Sequence, residues 1–187
     1  MGRQTQHGCA FLLALVCLSI VAGASASADP WVLVDSRERV VSVMGQTGPL
    51  ETFHGVAFGK RGAGTKVRSG DKTTPLGVFR VGWISESSRF EKFIGLDYPN
   101  LDYAQRALDE ERIDLITFHL IRRALADERT PPQDTPLGGF IGIHGVGAGD
   151  ASIHREFDWT EGCVALNNQQ IRRLVAWVHV GTRVEIR

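Results

Sequence analysis

The segment Trp159-Thr160-Glu161-Gly162-Cys163-Val164-Ala165-Leu166-Asn167-Asn168 sets a glycine directly before a thiol and an apolar run directly after it. Glycine at such a turn lets the backbone approach a bound group closely, so sulfur and main-chain N–H groups are presented together. A thiol nucleophile needs a base that removes its proton and donors that hold the oxyanion formed on the attacked carbonyl. The N–H groups of Glu161, Gly162 and Cys163 are the donors that this turn offers. The base is sought among six histidines. His144 is the strongest candidate, because it ends the apolar run Phe140-Ile141-Gly142-Ile143 and precedes Gly145. It therefore projects from the end of a buried strand, where rigid scaffold gives way to loop. His54 falls within a strand pattern, His119 on the core face of a helix pattern, and His179 at the end of the last helix. His154 lies in the loop between His144 and Cys163 and is a candidate for the lining of the cleft. No C-x-x-C or H-x-x-x-H pair accompanies these residues, so neither a zinc site from Cys163, His144 and His154 nor any cofactor is expected.

The cysteine count sharpens this reading. In residues 1–28, Arg3 is the single formal charge, residues 10–21 are almost wholly apolar, and small residues follow with two competing A-x-A sites, Ala24-Ser25-Ala26 and Ala26-Ser27-Ala28. That is the pattern of a signal peptide, and cleavage before Asp29 is expected. The apolar run is short for a bilayer span, and no membrane anchor is expected after processing. Cys9 and Cys17 leave with the leader, so the exported chain keeps Cys163 alone, which has no internal disulfide partner. An unpaired thiol in an oxidising compartment is an oxidation liability, and its presence suggests a use. The 159 residues that remain, 29–187, suffice for one domain with its own core. They carry 20 basic against 21 acidic side chains with no basic block, so nucleic acid is not an expected partner.

The elements that must hold these groups read as mainly β. Residues 31–35 and 40–44 alternate as a hairpin, 51–58 as a third strand, and 75–83 as a further one, with a glycine-rich mobile loop at 59–70. From Leu101 the period lengthens toward three and a half. A short helix follows the Pro99-Asn100 start signal, and a second spans about 113–128 with Leu115, Ile116, His119, Leu120, Arg123 and Ala124 recurring at three and four, ended by Pro131-Pro132. This pair reads as a helical insertion. Residues 140–143 form a buried strand, 167–180 a helix, and 180–186 a closing strand.

Together these residues resemble the L,D-transpeptidase catalytic domain, the YkuD-type family. A histidine followed by glycine precedes the family's [Ser/Thr]-His-Gly-Cys run by fifteen to seventeen residues. Here Ile143-His144-Gly145 precedes Thr160-Glu161-Gly162-Cys163 by fifteen, and Gly70-Asp71-Lys72-Thr73-Thr74-Pro75-Leu76-Gly77 matches the threonine-proline-x-glycine segment. The resemblance covers nearly all of residues 29–187 and implies a single β-sandwich domain with a helical insertion and a C-terminal helix. It implies Cys163 as nucleophile, His144 as base and then acid, the Gly145 carbonyl as the group orienting the imidazole, and the N–H groups at Glu161 to Cys163 as the oxyanion hole. Thr160 and Thr74 are implied as substrate contacts or turn supports, and His154, from its place in the loop, is the further candidate for substrate contact. The implied function is that of a periplasmic enzyme acting on peptidoglycan stem peptides, by transfer to an amine or by hydrolysis. Glu161 in place of histidine, Ala165 in place of arginine, and Gly95-Leu96-Asp97-Tyr98-Pro99-Asn100 are similar to the YafK-like branch, whose members include cross-linkers and an amidase that releases a wall-linked lipoprotein. A carboxylate beside the thiol opposes thiolate formation unless it meets a cation. Loss of the arginine removes a fork suited to a substrate carboxylate.

Overall fold

Alternating valines build the first hairpin. In the computed structural model, which describes residues 1–2 and 29–187, β1 (Trp31–Asp35) and β2 (Val40–Gly45) pair antiparallel with Leu33 opposite Ser42. Val32, Val34, Val41 and Val43 are buried, as β-branched side chains on a pleated surface tend to be. β3 (Gly48–His54) continues the meander along β2. β4 (Ala63–Gly64) and β5 (Thr74–Pro75) form a short parallel pair. β6 (Gly77–Ser88), β7 (Glu91–Leu96), β8 (Gly142–His144), β9 (Val164–Ala165) and β10 (Arg183–Ile186) complete one hydrogen-bonded order, β3-β2-β1-β10-β6-β7-β8-β9. The chain is mainly sheet, and the leader segment read at residues 3–28 lies outside the described residues.

Two features of this topology position the site. β8 and β9 run parallel with His144 opposite Ala165, so Cys163, two residues before Ala165, shares a face with His144. The chain after β3 also returns to the far edge of the sheet. Ala57 exchanges both backbone hydrogen bonds with Ala165, and the Lys60 N–H donates to Thr160 O. The sheet thus curls until its ends are joined beside the cysteine, around a core that includes Phe53, Phe58, Phe79, Ile94, Leu96, Ile143, Val164 and Leu166.

The helices sit outside this sheet. α1 (Leu101–Asp109) is capped by the Asn100 side chain and α2 (Leu115–Ala126) by Asp114, each accepting the N–H three residues on. They form a satellite core of Ala104, Ala107, Ile113, Phe118, Ile121 and Leu137. α4 (Asn168–Val175) opens with an Asn167/Gln170 capping box and buries Ile171 and Leu174 against the sheet.

Several expectations need correction. α2 is rotated from the expected face: Phe118, Ile121 and Ala124 point inward, while His119, Leu115, Ile116 and Leu120 are exposed. Two apolar stripes compete along that helix, and the one bearing the large Phe118 ring wins the contact with α1. β7 was not expected, because Glu91-Lys92-Phe93-Ile94-Gly95-Leu96 lacks alternation, yet its neighbours β6 and β8 bury it from both edges. α3 (Ala151–Glu156), capped by Asp150, occupies the segment read as loop. The last helix ends at Val175 rather than near residue 180. Ala176, Trp177 and Val178 make tighter bonds to carbonyls three residues back, which close the final turn.

The glycine-rich segment 59–70 is pinned rather than free. Lys66 and Asp71 form a buried ion pair, and the Asp71 carboxylate also accepts the N–H groups of Val67, Arg68 and Thr73. Burial raises the Asp71 carboxyl, but the Lys66 ammonium and the three amides outweigh it and hold the group below its ordinary value. Asp71→Ala leaves the Lys66 charge buried without a partner. The expected loss is about 3–5 kcal/mol in denaturant unfolding; a change below about 1 kcal/mol would show that water reaches Lys66 instead.

Candidate active site

Cys163 and His144 line one cavity of about 690 Å³. Gly162 has φ 134°, a conformation in which a side chain is strained, and a Cβ there would come within 3.0 Å of the Thr73 carbonyl. The turn is held from below by hydroxyls. Thr160 Oγ1 donates to the Cys163 carbonyl at 2.7 Å and accepts the Gly162 N–H at 3.1 Å. Thr74 Oγ1 donates to the same carbonyl at 3.3 Å and accepts the Gly59 N–H at 2.9 Å. Asp158 anchors the approach to the turn, taking the Phe58 N–H and both terminal nitrogens of Arg39. Because Gly162 N–H is engaged by Thr160, the amides of Glu161 and Cys163, which make no hydrogen bond among the described residues, are the free donors of the turn.

His144 is buried at 2% exposure between aromatic rings: Phe90 stacks at 4.2 Å, Phe93 lies parallel at 5.9 Å, and Trp159 meets it edge-on at 5.6 Å. Its Nδ1 lies 2.7 Å from the Gly145 carbonyl, which can only accept. That contact assigns the proton to Nδ1 and leaves Nε2 with a lone pair. Gly145 must be glycine, since a Cβ would fall within 2.8 Å of the Phe90 carbonyl, the Asn168 side chain and Ile171. Asn168, at the start of α4, clamps the following loop by accepting the Gly147 N–H and donating to the Gly147 carbonyl, both at 2.8 Å.

The aromatic enclosure fixes the protonation state. Burial pushes the His144 imidazolium down to about 4 despite the Gly145 carbonyl, with His154 and then Arg89 contributing in the same sense. Burial pushes the Cys163 thiol up to about 11, opposed by a backbone hydrogen bond at Gly142 and by the Lys66 charge. At neutral pH the empty cavity therefore holds a neutral imidazole and a thiol, whose Sγ–H points to the Phe140 carbonyl at 3.4 Å. Phe140 presents that carbonyl from a left-handed conformation, φ 53°, held by its N–H bond to Gln133 Oε1. Strain of this kind persists where the surroundings over-determine it.

The other residues singled out in the sequence fall into place around this pair. Glu161 lies on the cavity rim, where Lys60 at 2.7 Å and Lys72 at 3.8 Å meet its carboxylate. The hydrogen bond from Lys60 holds its carboxyl below the ordinary value. Its charge is therefore matched by cations rather than turned on the thiol. His154 does not line the cavity. It is buried in α3 behind Trp159, whose Nε1 donates to His154 Nδ1 at 3.3 Å. Thr74 is fully buried under the turn. Ala165 is likewise fully buried, with its backbone bonded on both sides. Missed by sequence reasoning were the cavity walls, Trp83, Phe90, Phe93, Phe140 and Trp159, together with Arg89. The density of aromatics between Trp83 and Phe93 was a usable signal, but only the β6–β7–β8 register turns them to one side.

The curled sheet of this chain is a fold already seen in solved structures. Bd1075 of Bdellovibrio bacteriovorus shares the fold with a TM-score of 0.55 and 19% identity, over 88% of this chain and 50% of that one. The helical cell shape determining protein Pgp2 of Campylobacter jejuni shares it with a TM-score of 0.57 and 22% identity, over 86% and 48%. The chain thus spans about half the length of these structures. No curated protein matches it. The YkuD family model, the L,D-transpeptidase catalytic domain, matches residues 29–186, and the chain belongs to that family.

Proposed function

We propose that this chain is an exported peptidoglycan L,D-transpeptidase working through a cysteine acyl-enzyme, with Cys163 as nucleophile and His144 as general base. The observation that carries this reading is the commitment of His144 Nδ1 to the Gly145 carbonyl, which leaves Nε2 to face the cavity that the Cys163 thiol also lines. Cys163 Sγ attacks the carbonyl carbon of the amide that follows the L-centre of diaminopimelate, and Nε2 takes the thiol proton. The Glu161 and Cys163 amides hold the oxyanion. The C–N bond then breaks, and His144 returns the proton to the departing D-alanine amine, leaving a thioester. An acceptor amine attacks the thioester, loses its proton to Nε2, and releases the sulfur, which is reprotonated. With water as acceptor the same steps give a carboxypeptidase, or an amidase acting on a wall-linked lipoprotein. The leader pattern of residues 1–28 supports export, which fractionation of the expressing cell tests directly.

Purified muropeptides incubated with the protein, with products identified by mass, decide among these outcomes. Dimers are expected for a transpeptidase. Tripeptides alone would assign a carboxypeptidase and freed peptide remnants an amidase, while unchanged substrate would remove the proposal.

The buried imidazole also sets the pH behaviour. The base must be neutral, so kcat/KM is expected to hold as pH falls below 6.5 and to drop only through about 4. A midpoint at 6–7 would mean that His144 is solvated. Stability moves in the same window: below pH 6.5 the unfolded chain binds a proton that folded His144 refuses until about 4. Stability therefore falls with pH across that interval, by about 3 kcal/mol from this group.

A further inference from the structure

Arg89 is the one cationic residue lining the cavity wall, and nothing described so far uses it. It sits on the turn between β6 and β7, its guanidinium 4.6 Å above the Phe90 ring, and that ring stacks in turn on His144 at 4.2 Å. Guanidinium, phenyl and imidazole thus form three layers. Arg89 makes no ion pair among the described residues: Glu86 pairs with Lys92, Glu91 with Arg172, and Glu161 with Lys60 and Lys72, while Asp150, which lines an adjoining cavity with Arg89, accepts the Ser152 N–H and hydroxyl as the cap of α3. The position where family members carry arginine holds Ala165, which is fully buried and bonded through its backbone on both sides.

We propose that Arg89 is the carboxylate-binding residue of this cavity, holding a free carboxylate of the peptide whose amide is presented to Cys163. This deepens the transpeptidase reading and rests on it. The guanidinium fork donates two parallel hydrogen bonds to a carboxylate, and stacking on Phe90 fixes its plane beforehand, so little freedom is lost on binding. Arg89 is exposed, and the Phe90 ring shields one face of its guanidinium from water. Binding also bears on the base: the Arg89 charge disfavours the imidazolium, and a bound carboxylate cancels that charge when His144 must take a proton.

The test separates binding from turnover. In the Cys163→Ala protein, calorimetric titration compares the stem tetrapeptide L-alanyl-γ-D-glutamyl-diaminopimelyl-D-alanine with its C-terminal carboxamide and with the form amidated at the diaminopimelate side-chain carboxylate. One of the two amides is expected to bind about tenfold or more weakly than the acid, which identifies the carboxylate. Arg89→Gln in the same background is expected to remove that ratio and Arg89→Lys to keep part of it, both with unchanged melting temperature. Equal binding of acid and amides, binding of none, or a ratio that survives Arg89→Gln overturns the proposal. Failure of the function itself reads out elsewhere: a wild-type protein that leaves muropeptides unchanged removes the transpeptidase reading, while the titration still decides whether Arg89 binds a carboxylate.

Discussion

Replacing Cys163 with alanine is expected to reduce muropeptide turnover by on the order of 10⁴-fold or more, because it removes the thiol proposed to carry the acyl group, and the Ser85 and Thr160 hydroxyls that also line the cavity are far weaker nucleophiles at neutral pH. Serine is expected to fare nearly as badly. Its hydroxyl stays protonated far above the range where a thiol ionises, and His144, with its imidazolium pushed down to about 4, is a weak base. The fold should survive either change, since Cys163 is partly exposed and the turn is held by hydrogen bonds to its backbone carbonyl from Thr160 and Thr74. Intact-mass measurement after exposure to a carbapenem gives a second readout: an adduct on wild type and none on Cys163→Ala. Turnover within tenfold of wild type in either variant would rule out the thiol as nucleophile.

His144→Gln is expected to lower turnover by about 10²–10⁴-fold, the usual cost of losing a positioned general base. Glutamine keeps a polar group near the Gly145 carbonyl, so the loss is less confounded by collapse of the Phe90–Trp159 slot than in an alanine variant. The chemical signature distinguishes a base from a strut. With the imidazole gone, thioester formation should become dependent on pre-formed thiolate and rise with pH toward the value near 11, losing the wild-type plateau. A variant that keeps both its rate and its plateau would move the base elsewhere. His154 is poorly placed to take over, being buried behind Trp159.

Much of the site was legible because its signals are local. A glycine before the Cys163 thiol, and a histidine closing an apolar run ahead of another glycine, are constraints on backbone conformation and on strand ends, and both are written in consecutive residues. The hairpin of β1 and β2, the helical insertion and the final helix follow from periodicity in the same way. Signals failed where two patterns competed or where none was present. The exposed face of α2 reads as apolar as its buried one, so docking against α1 decided the rotation and left His119 in solvent. β7 has no alternation of its own and is a strand because β6 and β8 supply its hydrogen bonds.

The sequence by itself presented the candidate groups: a thiol behind a glycine, a histidine ending a strand fifteen residues before the turn, and the glycine that lets the turn form. Only the tertiary structure decided how they are tuned. The depression of His144 arises from Phe90, Phe93 and Trp159, which come from the β6–β7 region and from the chain before the turn, and meet only when the sheet curls. The neutralisation of Glu161 comes from Lys60 and Lys72, about a hundred residues away along the chain, and the open guanidinium of Arg89 is identified by which carboxylates its neighbours have taken. Desolvation and charge pairing depend on distances through space, and distances between residues far apart in the chain exist only once the fold has brought them together.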